Sequence, residues 1–147
     1  MKRTIHLIVV HCSATREGCA LTPEALDRCH RSRGFKGTGY HYYIRRDGET
    51  VLTRPLEIPG AHVKGWNARS IGICYEGGLD RDGHPADTRS AAQRTALRTL
   101  VCQLLKQHPD ARVCGHRDLS PDLDGDGVVE PQEWVKQCPC FDVATAL

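Results

Sequence analysis

Residues 7–11 read Leu-Ile-Val-Val-His, an unbroken apolar run that ends in a histidine. A strand that is apolar at consecutive positions is covered on both faces, as in a parallel sheet that lies between layers of helices. We therefore predict a buried strand over residues 4–11, with His11 at its carboxyl end. Reactive and ligand-binding side chains collect beyond the carboxyl ends of strands in open α/β sheets. His11 is thus the first candidate functional residue.

Strands and helices alternate along the rest of the chain. Apolar side chains three and four apart predict a long helix over residues 88–107, and Thr22 and Pro23 are typical of the start of a helix over residues 22–33. Further elements are predicted as a hairpin of residues 40–46 and 49–54, strands over residues 70–76 and 111–115, and a short helix over residues 131–136. This alternation predicts an α/β fold, a single-domain layered sandwich in which helices flank a central mixed sheet.

Two residues distant in sequence could form a metal site with His11. His116 directly follows the predicted strand 111–115, and Cys138 and Cys140 near the C-terminus each offer a thiolate. Two imidazoles and one thiolate can hold a catalytic zinc ion, whose fourth position stays open for water or substrate. No short motif links these residues, so spacing alone leaves both the site and the choice of thiolate open.

Six sequence blocks resemble one enzyme family and occur in the family's order. They are residues 11–15 (His-Cys-Ser-Ala-Thr), 39–44 (Gly-Tyr-His-Tyr-Tyr-Ile), 46–48 (Arg-Asp-Gly), 61–67 (Ala-His-Val-Lys-Gly-Trp-Asn), 70–74 (Ser-Ile-Gly-Ile-Cys) and 138–142 (Cys-Pro-Cys-Phe-Asp). Together they resemble the zinc-dependent N-acetylmuramoyl-L-alanine amidases of the bacteriophage-lysozyme type, which are related to the peptidoglycan recognition proteins. The resemblance covers residues 4–142 and implies a single catalytic domain over residues 1–147 with that family's fold.

The resemblance also implies a zinc site and a reaction. His11, His116 and Cys138 would bind the ion, and Cys138 is preferred to Cys140 because the family's ligand cysteine directly precedes the proline. The implied reaction is hydrolysis of the amide bond between N-acetylmuramic acid and L-alanine in peptidoglycan. Amide hydrolysis needs an activated water and a polarised carbonyl group, both of which zinc can supply.

Three further residues match functional positions of the family. Tyr40 and Lys136 are implied to be catalytic, because a hydroxyl and an ammonium group can stabilise the negative charge that develops on the carbonyl oxygen. His62 lies in a block that borders the substrate groove in the family, and we expect it to contact the glycopeptide.

Residues 122–133 depart from the phage-lysozyme pattern and match a twelve-residue calcium loop. In such loops, carboxylates at positions one, three and five, a backbone carbonyl at seven and a bidentate glutamate at twelve surround the ion. The sequence predicts a second, calcium site whose ligands are Asp122, Asp124, Asp126, Val128 and Glu133. A convincing helix before the loop is missing, so an acidic turn without a metal is the alternative.

Composition excludes some classes of partner and compartment. The formal charge of +2, without a long basic run, argues against nucleic-acid binding, and no stretch approaches the roughly 20 apolar residues of a membrane span. Too few residues precede His11 for a signal peptide. We therefore expect a cytoplasmic, monomeric protein with reduced cysteines that acts on the cell wall after release.

Two other functions fit parts of the sequence. A peptidoglycan-binding module without catalysis would share the fold, although such modules typically lack a zinc ligand. A cysteine peptidase could use Cys12 or Cys138 with a histidine, but neighbouring residues on a strand face opposite sides, which separates His11 from Cys12. Within the amidase interpretation, a prophage endolysin is favoured over a wall-recycling enzyme, and the peptidoglycan type stays open.

Overall fold

Seven strands and three α-helices make up the part of the protein that the computed structural model describes, residues 3–120 and 137–146. The strands are β1 (Leu7–Cys12), β2 (Thr15–Arg16), β3 (Tyr42–Ile44), β4 (Thr50–Leu52), β5 (Ser70–Tyr75), β6 (Gly78–Leu79) and β7 (Arg112–Gly115). The α-helices are α1 (Pro23–Ser32), α2 (Ala91–Gln107) and α3 (Val143–Ala146). Short 3-10 turns cover Asn67–Arg69 and His116–Leu119.

Five strands form one mixed sheet in the order β4-β3-β5-β1-β7. The β1 strand is parallel to both of its neighbours, so that Val10 pairs with Ile73 of β5 and with Gly115 of β7. The β3 strand is parallel to β5, whereas β4 is antiparallel to β3. The expected α/β sandwich around a central mixed sheet is confirmed.

Alternate side chains of β1 enter two different layers. Ile8 and Val10 belong to the large core in which Leu97 and Val101 of α2 are buried. Val9 faces the other side, where it packs with Val63. The same side of the sheet contacts α1, whose Leu26 clusters with Tyr43 and Cys74. Since side chains on a strand alternate, His11 lies two residues after Val9 on the same face of the sheet, the face that contacts α1.

Several predicted boundaries shift because side chains cap or end an element. The α2 helix begins at Ala91 rather than at residue 88, because the Ser90 hydroxyl accepts the N–H of Gln93. The Thr88 hydroxyl instead accepts the N–H of Gly78. The two hairpin strands are shorter than predicted, and Tyr40 lies in the loop before β3. Sequence reasoning missed β2, β6 and α3.

Other predictions concern the whole chain. None of the helices within the described ranges is both long and apolar enough to cross a membrane. All eight cysteines lie in those ranges and are free thiols. The helix predicted over residues 131–136 lies outside the described residues.

Candidate metal centre and active site

Three side chains distant in sequence meet at one edge of the sheet. His11 is the penultimate residue of β1, His116 directly follows β7, and Cys138 lies in the C-terminal segment. Because β1 and β7 are parallel neighbours, their carboxyl ends coincide, and the two imidazole rings lie 4.7 Å apart between centroids. One nitrogen of each histidine and the Cys138 sulfur all lie within 4.8 Å of one another.

Backbone groups hold Cys138 in this position. Its sulfur accepts the N–H of Cys12 at 3.1 Å, and its carbonyl accepts the N–H of Arg117 at 2.8 Å. The next residue, Pro139, follows a cis peptide bond, and its carbonyl accepts the Tyr75 hydroxyl at 2.6 Å. These contacts fix the Cys138 thiol beside the two histidines.

A third histidine, His62, contacts His11 directly. Nδ1 of His62 is 2.8 Å from Nε2 of His11, and Nε2 of His62 is 3.0 Å from the Ser70 hydroxyl. Burial, together with the positive charges of nearby groups such as His41 and His116, lowers the pKa of His62 to about 3. His62 also lines the cleft described below, so the expected contact with substrate stays a prediction.

The Tyr40 ring lies beside the cluster, 5.0 Å from the His11 ring. The preceding Gly39 has no room for a side chain, since a Cβ atom there would collide with the carbonyl oxygen of Ala61. Nδ1 of the buried His30 accepts the Gly39 N–H at 2.8 Å, and its ring is 5.4 Å from that of Tyr40. Burial, together with nearby thiols such as Cys74, raises the pKa of Tyr40 well above its usual range, so its hydroxyl keeps its proton.

An open cleft of about 550 Å³ has His11, His116, Cys138 and Tyr40 in its lining. Helix α1 contributes residues such as Leu26 to one wall, and the loop at residues 61–67 contributes others. The cleft lining combines two imidazoles, a thiol that can bind a metal as its thiolate, and a phenol, which suits metal-assisted hydrolysis of an extended substrate.

Two sets of predicted residues lie outside the described ranges. Lys136 is one, and the other is the calcium set of Asp122, Asp124, Asp126, Val128 and Glu133. Both stay predictions. Conversely, His30, Asn67 and Ser70 were not singled out from sequence, because only their positions in the fold bring them to the cleft and to His62.

Residues 1–139 match the protein family described as N-acetylmuramoyl-L-alanine amidase. The chain belongs to this amidase family. The amidase chain is 36% identical to an endolysin of Klebsiella phage KP32 over 136 residues. This alignment covers 92% of this chain and 81% of the endolysin. It also resembles the solved structure of the N-acetylmuramoyl-L-alanine amidase LysC from Clostridium intestinale URNW, with a TM-score of 0.73 and 28% identity. That match covers 95% of this chain and 79% of LysC.

A structure of bumblebee PGRP-SA matches the amidase fold with a TM-score of 0.71 at 21% identity, over 97% of this chain and 78% of that one. At this identity the likeness concerns the fold alone. The expected membership in the N-acetylmuramoyl-L-alanine amidase family is confirmed, and the chain shares its fold with a peptidoglycan recognition protein.

Proposed function

We propose that this amidase hydrolyses the bond between N-acetylmuramic acid and L-alanine of peptidoglycan with a zinc ion held by His11, His116 and Cys138. The convergence of these three side chains in an open cleft carries the proposal. Two imidazoles and a thiolate suit zinc, and the backbone N–H that reaches the Cys138 sulfur suits an anionic ligand. When bound, zinc supplies an activated water and polarises the carbonyl group of the substrate.

The chain's own residues would then orient the substrate and stabilise charge. Tyr40 lies beside His11 and carries a protonated hydroxyl, which can donate to the carbonyl oxygen as this atom gains negative charge. Lys136, placed in this role by the sequence resemblance, would add a positive charge near the same atom. The cleft walls would bind the sugar and stem peptide on either side of the scissile amide.

The cell wall is the site of action under this proposal, and the endolysin of phage KP32 supports an endolysin-like role. The decisive experiment digests purified peptidoglycan with the zinc-loaded protein and analyses the products by mass spectrometry. We expect free L-alanine amino termini and intact glycan strands. Cleavage between sugars, or between stem-peptide residues, would contradict the proposed bond.

A cysteine peptidase is not supported by the geometry around Cys12. This residue belongs to the buried core on the α2 side of β1, whereas His11 faces the α1 side. Hydrogen bonding with Cys138 and burial, among other effects, raise the pKa of Cys12 to about 12, which disfavours the nucleophilic thiolate.

We also propose that the loop at residues 122–133 binds calcium, on the strength of its sequence pattern. Calcium should raise the melting temperature of the zinc-loaded protein, because a ligand that binds only the folded state stabilises it. Replacing Asp124 by Ala together with Glu133→Gln should remove this increment and leave the zinc content unchanged. Calorimetry without detectable calcium binding at millimolar concentration would identify the loop as an acidic turn.

A further inference from the structure

A row of polar groups extends from His11 towards β5. Nε2 of His11 is 2.8 Å from Nδ1 of His62, and Nε2 of His62 is 3.0 Å from the hydroxyl of Ser70. Ser70 is fully buried and begins β5, the central strand beside β1. The row therefore ends within the sheet and not in solvent.

Two features fix the His62 ring against the sheet. The Asn67 side-chain oxygen accepts the backbone N–H groups of His62 and Val63, both at 2.9 Å, which holds the loop in place. The His62 ring covers Gly72 so closely that a Cβ atom on this glycine would lie 2.8 Å from Cγ of His62. All three atoms nearest to that Cβ position belong to His62. His62 can approach β5 in this way only because position 72 has no side chain.

We propose that His62, supported by Ser70, is a positioning residue that sets which nitrogen His11 offers to the metal. This inference rests on the proposed zinc site. With Nε2 of His11 bonded to His62, Nδ1 is the nitrogen directed to the ion, and Nε2 carries the proton. A metal-bound histidine is oriented in this way by the acceptor of its second N–H.

The direction of each hydrogen bond in the row follows from this assignment. His11 donates from Nε2, so His62 accepts at Nδ1 and keeps its own proton on Nε2. That proton is donated to the Ser70 hydroxyl oxygen. An acceptor at position 62 therefore favours the tautomer of His11 that can bind the metal, and the Ser70 hydroxyl oxygen accepts the proton that His62 then carries on Nε2.

Zinc affinity, measured by competition with a chromogenic chelator, tests the inference without reference to activity. His62→Leu keeps bulk but removes the acceptor, and we expect affinity to fall by roughly 10–100-fold. His62→Asn places a side-chain oxygen near the position of Nδ1, and it should bind zinc more tightly than the leucine variant. His6→Leu, on an exposed side chain outside both candidate metal-binding groups of the described residues, is the matched control and should bind zinc like the unchanged protein.

A double-mutant cycle with Gly72 provides a second test, and it remains informative if His62→Leu folds poorly. Gly72→Ala should weaken zinc binding through displacement of the His62 ring. In a His62→Ala background it should cause no further loss, because the colliding ring is absent. Ser70→Ala should weaken binding as well, by a smaller factor than His62→Leu. The melting temperature of each metal-free variant reports folding separately from affinity.

The outcomes separate this inference from the proposed function. Unchanged zinc affinity in His62→Leu, or an asparagine variant as weak as the leucine variant, would overturn the positioning role while leaving the zinc site intact. Additive losses in the Gly72 cycle would overturn it too. A failure of the unchanged protein to bind zinc would instead overturn the proposed function, and the inference with it.

Discussion

Cys138 and Cys140 are separated by one residue, yet their thiols lie in different environments. The Cys138 sulfur accepts the N–H of Cys12 and lies close to His11 and His116. The Cys140 thiol donates to the carbonyl of Gly78 at 3.3 Å and lies 4.0 Å from the sulfur of Cys12. A positive φ of 72° at Cys140 accompanies this change of direction.

We therefore expect the two cysteines to respond differently to the same substitution. Cys138→Ser should remove zinc and wall-lytic activity together, because the hydroxyl is a much weaker zinc ligand than the thiolate. Cys140→Ser is the matched control, and its hydroxyl can still donate to Gly78. Metal analysis and a turbidity assay on cell walls measure both effects. Loss of zinc in the Cys140 variant alone would reverse the ligand assignment.

Tyr40 contributes one hydroxyl group to the proposed reaction. Tyr40→Phe should keep the fold and the zinc content but lower kcat by roughly 100-fold, the usual effect of losing one donor to a developing oxyanion. Tyr42→Phe, two residues away in β3 and packed against the large core, should keep kcat. Steady-state kinetics on a soluble muropeptide measure the change. Equal kcat values in the two variants would leave Tyr40 without a catalytic role.

At the scale of elements, Gln93 joins the start of α2 to the sheet. Its side-chain oxygen accepts the N–H of Ser90 at 2.9 Å, and its amide donates to the carbonyls of Ile44 and Glu76 at 3.3 and 2.9 Å. Gln93 is fully buried, so these bonds replace contacts with water. The sequence pattern predicted the helix, but the link to β3 and β5 arises only when the helix packs on the sheet.

Gln93→Leu should therefore destabilise the fold by about 2–3 kcal/mol, because it leaves buried carbonyls without this donor. Gln103→Leu, on an exposed position of the same helix, provides the same chemical change without that loss. It should change the free energy of unfolding by no more than about 0.5 kcal/mol. Urea unfolding followed by circular dichroism measures both. Equal stability of the two variants would show that the buried amide adds no net stability.

At the scale of the whole molecule, buried neutral histidines should make the fold sensitive to acid. His41 is fully buried; its Nδ1 accepts the N–H of Gly72 at 3.1 Å, and its Nε2 lies 2.8 Å from the carbonyl of Ile58. Burial is the main cause that lowers the pKa of His41 to about 4, and the charges of Arg3 and Arg54 act in the same direction. At mildly acidic pH the unfolded chain therefore binds a proton on this histidine, whereas the folded protein does not.

The sign of the pH effect follows from that difference. The pKa of His41 is lower in the folded state than its ordinary value of 6.5, so its stabilising effect is complete above pH 6.5 and is lost as the pH falls towards 4. As the pH falls over this range, we expect the free energy of unfolding to decrease by up to about 1.4 kcal/mol per pH unit. Urea unfolding of the metal-free protein at several pH values measures the slope.

A substitution identifies the group responsible for this slope. His41→Asn keeps an acceptor for the N–H of Gly72 but cannot take up the proton, so the slope between pH 6.5 and 4 should decrease. His6→Asn, on an exposed side chain, should leave the slope unchanged. An identical slope in the His41 variant would assign the acid sensitivity to other groups.

The sequence by itself determined the fold class, because burial on both faces requires a continuous apolar strand such as residues 7–10, and amphipathic helices must cover it. It also predicted the grouping of His11, His116 and Cys138, through the family resemblance and because parallel strands bring their carboxyl ends to one edge. Element boundaries were less accurate, since caps such as Ser90 compete with neighbours such as Thr88 for the same role.

Only the tertiary structure decided which side chains form the row of hydrogen bonds next to His11. His62 and Ser70 are separated from His11 by 51 and 59 positions along the chain, and no local pattern relates them. They meet because β1 and β5 are paired in parallel, with His11 opposite Cys74 and Val9 opposite Gly72. Hydrogen bonds between distant side chains depend on strand order, register and the space left by one glycine, and these quantities are fixed only when the sheet assembles.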